Sequence, residues 1–286
     1  MAGVVPGASG AVSARQEPSG PEKPGLRYDS GHWLRSGEPR EVLAAYARQQ
    51  AKAYSRVKNE FITELLGDLA GQSFLDYGCG PGRFLAHAVR AGARRVVGVE
   101  AEATALAAAR LLLEPLPPGV DCRLLRARRL PDLDPAAGFD VILFKDVMEH
   151  VPDDLGLLRG AARLLHPAGR LVISTQNAWS LNHLIEGFVQ RRLLGRRQWM
   201  GWDPTHLRFY TPPSLAALLA RAGLEVTAWR SSYLLPHKLP RGQGRYLRLD
   251  FLTRLDRLLG GRHPFARLGW CLMALARPRQ GGRRRS

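Results

Sequence analysis

The sequence lacks the features that mark a membrane-spanning or secreted protein. It has no uninterrupted run of about 18 apolar residues, the length that a transmembrane helix requires. Its N-terminus does not show the basic-then-apolar order of a signal peptide. Its three cysteines, Cys79, Cys122 and Cys271, are far apart and have no C-x-x-C spacing, which argues against a disulfide framework or a thiolate zinc site. We therefore expect a cytoplasmic protein in a reducing compartment.

Acidic residues are scarce in the C-terminal part of the chain. Residues 181–286 contain 20 Lys and Arg against 5 Asp and Glu, a balance of +15, whereas residues 1–180 contain 22 against 20, a balance of +2. The C-terminal part is therefore expected to face an acidic partner, such as a phospholipid surface, nucleic acid or an anionic substrate. An arginine-rich composition inherited from a GC-rich genome is the alternative explanation.

The 286 residues suit one α/β domain with additions. Residues 1–25 contain four prolines and five glycines and little apolar content, so they are expected to be disordered. We assign 26–276 to the main domain, with a basic insertion at 180–212 and a variable segment at 231–265, and treat 277–286 as a basic tail.

Strand-like and helix-like patterns alternate through the main domain, after a helical pattern from Pro39 to Leu69. The predicted elements are strand 73–77, helix 82–91, strand 95–99, helix 103–113, strands 121–125 and 139–144, helix 154–165, strand 169–175, helix 211–222 and strand 224–229. This alternation predicts a doubly wound α/β fold, in which helices cover both faces of a mostly parallel sheet.

Three closely spaced glycines form the most informative motif. The segment F-L-D-Y-G-C-G-P-G over 74–82 reads as a buried strand that turns sharply into a helix. Glycine adopts positive φ and removes the Cβ that would keep an adenosine-sized ligand away, while the helix N-terminus offers N–H groups. The next strand ends at Glu100, about 20 residues further on, where an acid can accept hydrogen bonds from ribose hydroxyls.

Dinucleotide oxidoreductases and methyltransferases both use such turns, and a turn without a ligand is a third reading. Dinucleotide folds show G-x-G-x-x-G, whereas here Gly82 follows Gly80 by two residues and Asp76 precedes Gly78 by two. With Glu100, this pattern resembles the class I S-adenosylmethionine-dependent methyltransferases. The resemblance implies that Asp76 organises the loop near the amino-acid end of S-adenosylmethionine, that the glycines line this cofactor, and that Glu100 holds its ribose.

The same family implies a seven-stranded sheet, and in this sequence the alternating pattern breaks after the fifth strand, where a helical insertion is predicted. Its seventh strand pairs antiparallel with the sixth, and residues 270–276 would take that place. The segment after the third strand departs from the family pattern, because Arg126 occupies the position of a common adenine-binding acid if Leu130-Pro131 fixes the register. The adenine would then rely on the backbone of Ala127 and on apolar packing.

A polar cluster, K-D-V-M-E-H over 145–150, directly follows the buried strand 139–144. Open α/β sheets bind ligands at the carboxyl ends of their strands. The form E-H-V-P over 149–152 resembles the ubiquinone-biosynthesis O-methyltransferases, which implies that the backbone near Lys145 contacts the cofactor and that Asp146, Glu149 or His150 borders the acceptor. His150 is a candidate general base, and a histidine bonded to its own helix start is the alternative.

A second segment, D-P-T-H-L-R-F-Y-T-P over 203–212, also resembles the ubiquinone-type enzymes, in which it lies over the acceptor pocket. His206 is therefore a second candidate base. A histidine that caps a loop is the competing interpretation.

The insertion between these segments combines an apolar stripe with arginines and tryptophans. The residues are Leu181, Leu184, Ile185 and Phe188, then Arg191, Arg192, Arg196 and Arg197, with Trp199 and Trp202. This combination suits a helix at a membrane interface that brings a lipid-soluble acceptor to the site, so residues 181–202 are a candidate contact with an anionic, peripheral membrane surface. A lid helix packed on the protein's own core is the alternative.

We therefore expect an S-adenosylmethionine-dependent O-methyltransferase of a small or lipid-like molecule. Nucleic acid is a less favoured partner. The small-RNA 3′-end 2′-O-methyltransferases hold a divalent metal with an E-x-x-E-H cluster and downstream histidines, and Asp146, Glu149, His150 and His206 match that set only in part. No metal site is predicted. A non-catalytic protein that keeps the fold is the remaining alternative.

Overall fold

The computed structural model describes residues 13–16, 33, 36–130, 133, 138–195, 197, 199, 203, 205–240 and 246–279. Its strands are β1 (Ser13–Gln16), β2 (Ser73–Tyr77), β3 (Arg95–Glu100), β4 (Asp121–Arg126), β5 (Phe139–Lys145), β6 (Leu165–Gln176), β7 (Leu224–Ser232), β8 (Lys238–Pro240), β9 (Tyr246–Arg248) and β10 (Cys271–Pro278). Its helices are α1 (Pro39–Gln50), α2 (Ala53–Leu66), α3 (Arg83–Arg90), α4 (Ala103–Leu113), α5 (Asp154–Leu164), α6 (Leu181–Phe188), α7 (Pro212–Arg221) and α8 (Leu252–Leu259).

Eight strands form one sheet in the order β1-β4-β3-β2-β5-β6-β10-β7. The neighbouring pairs from β1 to β6 are parallel, and β10 runs antiparallel to both β6 and β7. The predicted mostly parallel sheet and its antiparallel last strand are therefore confirmed. An eighth strand, β1, adds to the seven that were expected.

The strand order reverses between β2 and β5, because β3 and β4 lie on one side of β2 and β6 lies beyond β5. In doubly wound sheets this switch point opens a crevice at the carboxyl ends of the strands. Tyr77 at the end of β2 pairs with Phe144 near the end of β5. The glycine turn after β2 and the polar cluster after β5 are thus neighbours at one edge.

Two apolar clusters hold the helices against the two faces of the sheet. One joins α2, α3 and α4 to one face through residues such as Ile62, Phe84 and Leu85. The other joins α5 and α7 to the opposite face through residues such as Leu158 and Leu215. The sheet is therefore buried on both sides, which explains why all five residues of β2 and most residues of β5 are buried, with no alternation between buried and exposed positions.

The N-terminal segment differs from the prediction of disorder over 1–25. Residues 13–16 form β1, which pairs parallel with β4 from Ser13 opposite Arg123 to Gln16 opposite Arg126. The backbone of β4 would otherwise present an open edge, and main-chain pairing depends little on side-chain composition. The rest of that prediction lies outside the described residues.

The C-terminal part contains more regular structure than expected. The variable segment 231–265 includes the end of β7, a short hairpin of β8 with β9, and α8. The last strand continues to Pro278, so the first two residues of the expected basic tail belong to the sheet. Residues 280–286 lie outside the described part of the chain.

The insertion after β6 contains α6, followed by a wider helical turn at Val189–Leu193. The side chain of Ser180 caps α6 by accepting a hydrogen bond from the backbone N–H of His183. The predicted helical spacing is confirmed, but the apolar stripe faces outward: Leu184 is 58% and Phe188 60% exposed. The helix does pack on the protein, as in the lid alternative, but Asn182, His183 and Gly187 form its buried face rather than the apolar stripe.

Across the described residues, no helix has the length and apolar character needed to cross a bilayer.

Candidate active site

The glycine turn between β2 and α3 requires glycine for two independent reasons. Gly78, Gly80 and Gly82 all have positive φ, at 78°, 52° and 82°. A Cβ at Gly78 would overlap Cγ2 of Val147, and a Cβ at Gly82 would lie 2.9 Å from the Cβ of Ala109. The turn therefore presents bare backbone at the switch point and packs against the loop that follows β5.

Asp76, the last residue but one of β2, is a buried carboxylate with one oxygen that has no hydrogen-bond partner among the described residues. The residue is 2% exposed, and this oxygen is Oδ1. Burial raises the pKa of Asp76 to about 8, against the opposing charge of Lys145. An orphaned carboxylate oxygen beside bare backbone suits a cationic donor, such as the ammonium group of an amino acid.

Glu100 fastens the end of β3 to the glycine turn. Its carboxylate accepts hydrogen bonds from the backbone N–H groups of Gly80 at 2.8 Å, Ala101 at 2.7 Å and Glu102 at 3.0 Å. Burial raises its pKa, and these bonds oppose the rise. A carboxylate offers about four lone-pair directions, so capacity remains for a ribose hydroxyl, and the predicted ribose contact stays a prediction.

Arg126 and Ala127 lie beside Glu100, where the sequence departed from the family pattern. The Nε of Arg126 donates to the carbonyl of Ala101 at 3.3 Å, and the backbone N–H of Ala127 donates to the carbonyl of Glu100 at 3.1 Å. Arg126 therefore has a structural role at the end of β3. Adenine contact through Ala127 remains a prediction.

Asp146 follows β5 in a left-handed conformation, with a φ of 53°. Its carboxylate accepts from Lys58 Nζ at 2.5 Å, from Lys145 Nζ at 3.2 Å and from Ser174 Oγ at 2.8 Å. Burial alone would raise the pKa of Asp146, but the two ammonium groups hold it well below its ordinary value. These contacts fix the strained residue and, through the next residue, the contact of Val147 with the glycine turn.

Lys58 was not among the residues predicted for the site, although its position on α2 carries a signal. Lys58 lies one and two turns before Ile62 and Leu65, so it belongs to the buried face of α2, and its side chain is 13% exposed. Burial acts to lower its pKa, but the ion pair with Asp146 raises it above the ordinary value. A lysine on the apolar stripe of a helix indicates a buried anionic partner.

Glu149, His150 and His206 come together at the same edge. The ring centroids of His150 and His206 are 4.8 Å apart. Each of the three residues also offers one nitrogen or oxygen atom that could bind a metal, and these three atoms lie within 4.8 Å of one another. Thr175 Oγ1 donates to Glu149 at 2.9 Å. Burial and the charge of Asp146 raise the pKa of Glu149 to about 8. The three predicted acceptor-side residues thus form one cluster, at a spacing that also suits a divalent ion.

A hydrogen-bond chain orients His150. Thr205 Oγ1 lies 2.6 Å from Asp203 Oδ1 and 2.7 Å from His150 Nδ1. Burial acts to raise the pKa of Asp203, but the hydrogen bonds from Thr205 keep it below the ordinary value, so the carboxylate can only accept. The hydroxyl therefore donates to Asp203, His150 Nδ1–H donates to the hydroxyl, and Nε2 carries the basic lone pair.

Aromatic side chains continue from this cluster toward α6. Phe209 lies 5.7 Å from the His206 ring and 4.5 Å from the His183 ring, and His183 stacks on Trp199 at 5.6 Å. Beyond His183, a surface cavity of about 310 Å³ is lined by Ala178, Leu184, Gly187, Phe188, Arg191 and Arg192. His183 was not predicted from the sequence, since nothing in its local sequence separates it from its neighbours on α6.

The fold and the site together define an α/β enzyme of the methyltransferase type, with the glycine turn and the cluster of Glu149, His150 and His206 at one edge. The chain belongs to the methyltransferase domain family, whose sequence model matches residues 46–228. The dinucleotide oxidoreductase reading is thereby excluded, and the predicted family and fold class are confirmed. S-adenosylmethionine is the cofactor of that family, and the glycine turn and Asp76 fit it.

Relatives include the ubiquinone biosynthesis O-methyltransferases of Nitrobacter winogradskyi and Idiomarina loihiensis. The first is 36% identical over 167 residues, covering 57% of this chain and 60% of the relative. The second is 31% identical over 173 residues, covering 59% of this chain and 68% of the relative. The match thus spans about three fifths of the first relative's length.

Solved structures share the fold at low identity. The S-adenosylmethionine-dependent methyltransferase from Mesorhizobium loti has a TM-score of 0.52 at 20% identity, covering 77% of this chain and 97% of that one. The magnesium protoporphyrin IX methyltransferase from Synechocystis PCC 6803 has a TM-score of 0.52 at 14% identity, covering 81% and 91%.

Proposed function

We propose that the protein transfers a methyl group from S-adenosylmethionine to a hydroxyl oxygen of a small or lipid-like molecule. The observation that carries the proposal is the cluster of Glu149, His150 and His206 at the edge that also holds the glycine turn. The identity to ubiquinone biosynthesis O-methyltransferases supports O-methylation. The cofactor supplies an electrophilic methyl group, so the chain's own task is to align the acceptor and remove its proton.

His150 is the base that we propose for proton removal. The Asp203–Thr205–His150 chain holds its Nδ1 proton and leaves Nε2 basic. His206 is the second candidate, and burial together with His150 lowers its pKa, which keeps its imidazole neutral. Glu149, whose Oε1 has no partner within the described segments, would border the acceptor.

The experiment that tests this proposal is an acceptor screen with radiolabelled S-adenosylmethionine. We expect label in phenols or catechols that carry an apolar chain, and none in sugars or RNA. His150→Gln should lower kcat by about 100-fold or more with a small change in KM, because general-base catalysis acts in the transition state. Retention of kcat in both His150→Gln and His206→Gln would contradict the proposed base.

We further propose that α6 contacts an anionic membrane surface from which a lipid-like acceptor is drawn. The outward apolar stripe, the adjacent Arg191 and Arg192, and the cavity beside them support this proposal. Apolar side chains with flanking cations are the pattern of an interfacial helix.

RNA methylation remains the alternative because the three-residue cluster could accept a divalent ion. One observation weighs against it. By analogy with the RNA enzymes, Asp146 would be the fourth ligand of the ion, but its carboxylate already accepts hydrogen bonds from Lys58, Lys145 and Ser174. Labelling of RNA that is abolished by EDTA and restored by a divalent ion would favour this alternative.

A further inference from the structure

An aromatic side chain from the N-terminal part of the chain lies on the glycine turn. Cη2 of Trp33 is 3.6 Å from the position that a Cβ would occupy on Gly80. Gly80 has a φ of 52°, and its N–H is bonded to Glu100. The indole ring therefore lies against Gly80, the residue whose N–H joins the glycine turn to Glu100.

A second aromatic residue, Tyr46 of α1, supports Trp33. Their ring centroids are 5.5 Å apart in an edge-to-face arrangement with an interplanar angle of 77°. Burial raises the pKa of Tyr46. The charge of Lys145 acts to lower this pKa, and the charge of Asp76 acts to raise it. The phenol thus lies near the carboxyl ends of β2 and β5, while Trp33 lies over the turn between them and α3.

Neither ring belongs to the apolar clusters of the sheet, and both remain partly accessible. Their position over Gly80 and near Asp76 instead encloses the bare backbone that the turn exposes. We propose that Trp33 and Tyr46 form an aromatic cover over the glycine turn that retains S-adenosylmethionine.

The chemistry of this cofactor suits such a cover. It carries a sulfonium and an ammonium cation as well as a flat purine, and aromatic faces attract cations and stack on purines. A cover also keeps water from the turn, which strengthens the interactions of the buried Asp76.

Binding of S-adenosylhomocysteine and S-adenosylmethionine, measured by calorimetry without any acceptor, tests the proposal. Trp33→Ala should weaken binding of both by about tenfold, and Trp33→Phe should restore most of the loss, because an aromatic face is retained. Trp229→Phe is the matched control: Trp229 lies on β7 beneath Arg267, away from the turn, and should leave Kd unchanged.

Tryptophan fluorescence provides a readout that a merely structural role would not move. Binding of S-adenosylhomocysteine should change the emission of the wild type and of Trp229→Phe, and Trp33→Phe should remove most of that change. An unchanged Kd in Trp33→Ala, or a full emission change in Trp33→Phe, would overturn the inference. Absence of binding by the wild type would instead overturn the proposed function, so the two failures are distinguishable.

Discussion

The two parts of the sheet edge that we propose for the cofactor and for the acceptor, the cofactor side and the acceptor side, are built differently. On the cofactor side, backbone N–H groups and buried carboxylates fix the shape, as in the three bonds to Glu100 and the contact of Gly78 with Val147. On the acceptor side, side chains from distant segments meet, and α6 turns its apolar stripe outward. A cofactor that a whole family shares can be bound by a rigid site built from backbone groups. An acceptor that is specific to one enzyme must be recognised by side chains.

The largest effect should come from closing the backbone site. Gly78→Ala places a Cβ against Val147 at a φ of 78°. We expect loss of measurable S-adenosylhomocysteine binding and a destabilisation of about 3 kcal/mol or more. Gly119→Ala is the matched control, because Gly119 has a φ of 84° but no atom within 4 Å of its Cβ position.

In Gly119→Ala, only the backbone strain should remain, at about 1–2 kcal/mol, with binding intact. Urea unfolding and calorimetry separate the two contributions. Equal losses of stability and of binding in the two variants would show that the positive φ alone, rather than the contact of Gly78 with Val147, requires glycine in the turn.

The next effect concerns the ion pair that joins α2 to the loop after β5. Lys58→Met leaves Asp146 with Lys145 and Ser174 as its remaining partners. Removing one member of a buried pair should cost about 2–4 kcal/mol in the free energy of unfolding. The double variant Lys58→Met with Asp146→Asn should recover part of this loss, because no uncompensated charge remains.

The exposed Arg56 on the same helix provides the control, and Arg56→Met should change stability by less than about 0.5 kcal/mol. If Lys58→Met proved equally mild, the loop would be held by other contacts, and the description of the cofactor side as rigidly fixed would be wrong.

A third prediction uses the uncompensated carboxylate of Asp76. Its pKa is about 8 in the folded protein and 3.8 in the reference state. The unfolded chain therefore loses this proton at lower pH, so stability without ligand should fall from about pH 4 to pH 8, by roughly 1.4 kcal/mol per pH unit at most. Glu149, whose pKa is also raised by burial, contributes with the same sign.

Asp76→Asn should flatten this pH dependence while weakening cofactor binding by about tenfold or more, because the amide cannot offer a negative charge to a cationic group. Thermal unfolding across pH 5–8 and calorimetry provide the two measurements. A pH dependence identical to that of the wild type would show that Asp76 is ionised in the folded state.

The sequence predicted the cofactor side more completely than the acceptor side, and the reason is physical. Asp76, the glycines and Glu100 are local features, because a turn and two adjacent strand ends place them together. His150 and His206 could be named from short motifs, but their 4.8 Å ring separation depends on how the insertion folds back. Lys58 was missed because its partner Asp146 lies 88 residues away. His183 was missed because its ring partners Phe209 and Trp270 lie outside its helix.

The smallest effect on stability should accompany the largest change in surface behaviour. Leu184→Ser with Phe188→Ser alters two exposed side chains, so the free energy of unfolding should change by less than about 0.5 kcal/mol. Binding to vesicles of phosphatidylcholine with phosphatidylglycerol should fall by about tenfold, because the apolar anchor is lost. The matched pair Leu111→Ser with Leu112→Ser, which changes two exposed apolar residues on α4, should retain vesicle binding. Flotation of the full chain measures both, and equal flotation of the two pairs would mean that the outward stripe of α6 serves another purpose than membrane contact.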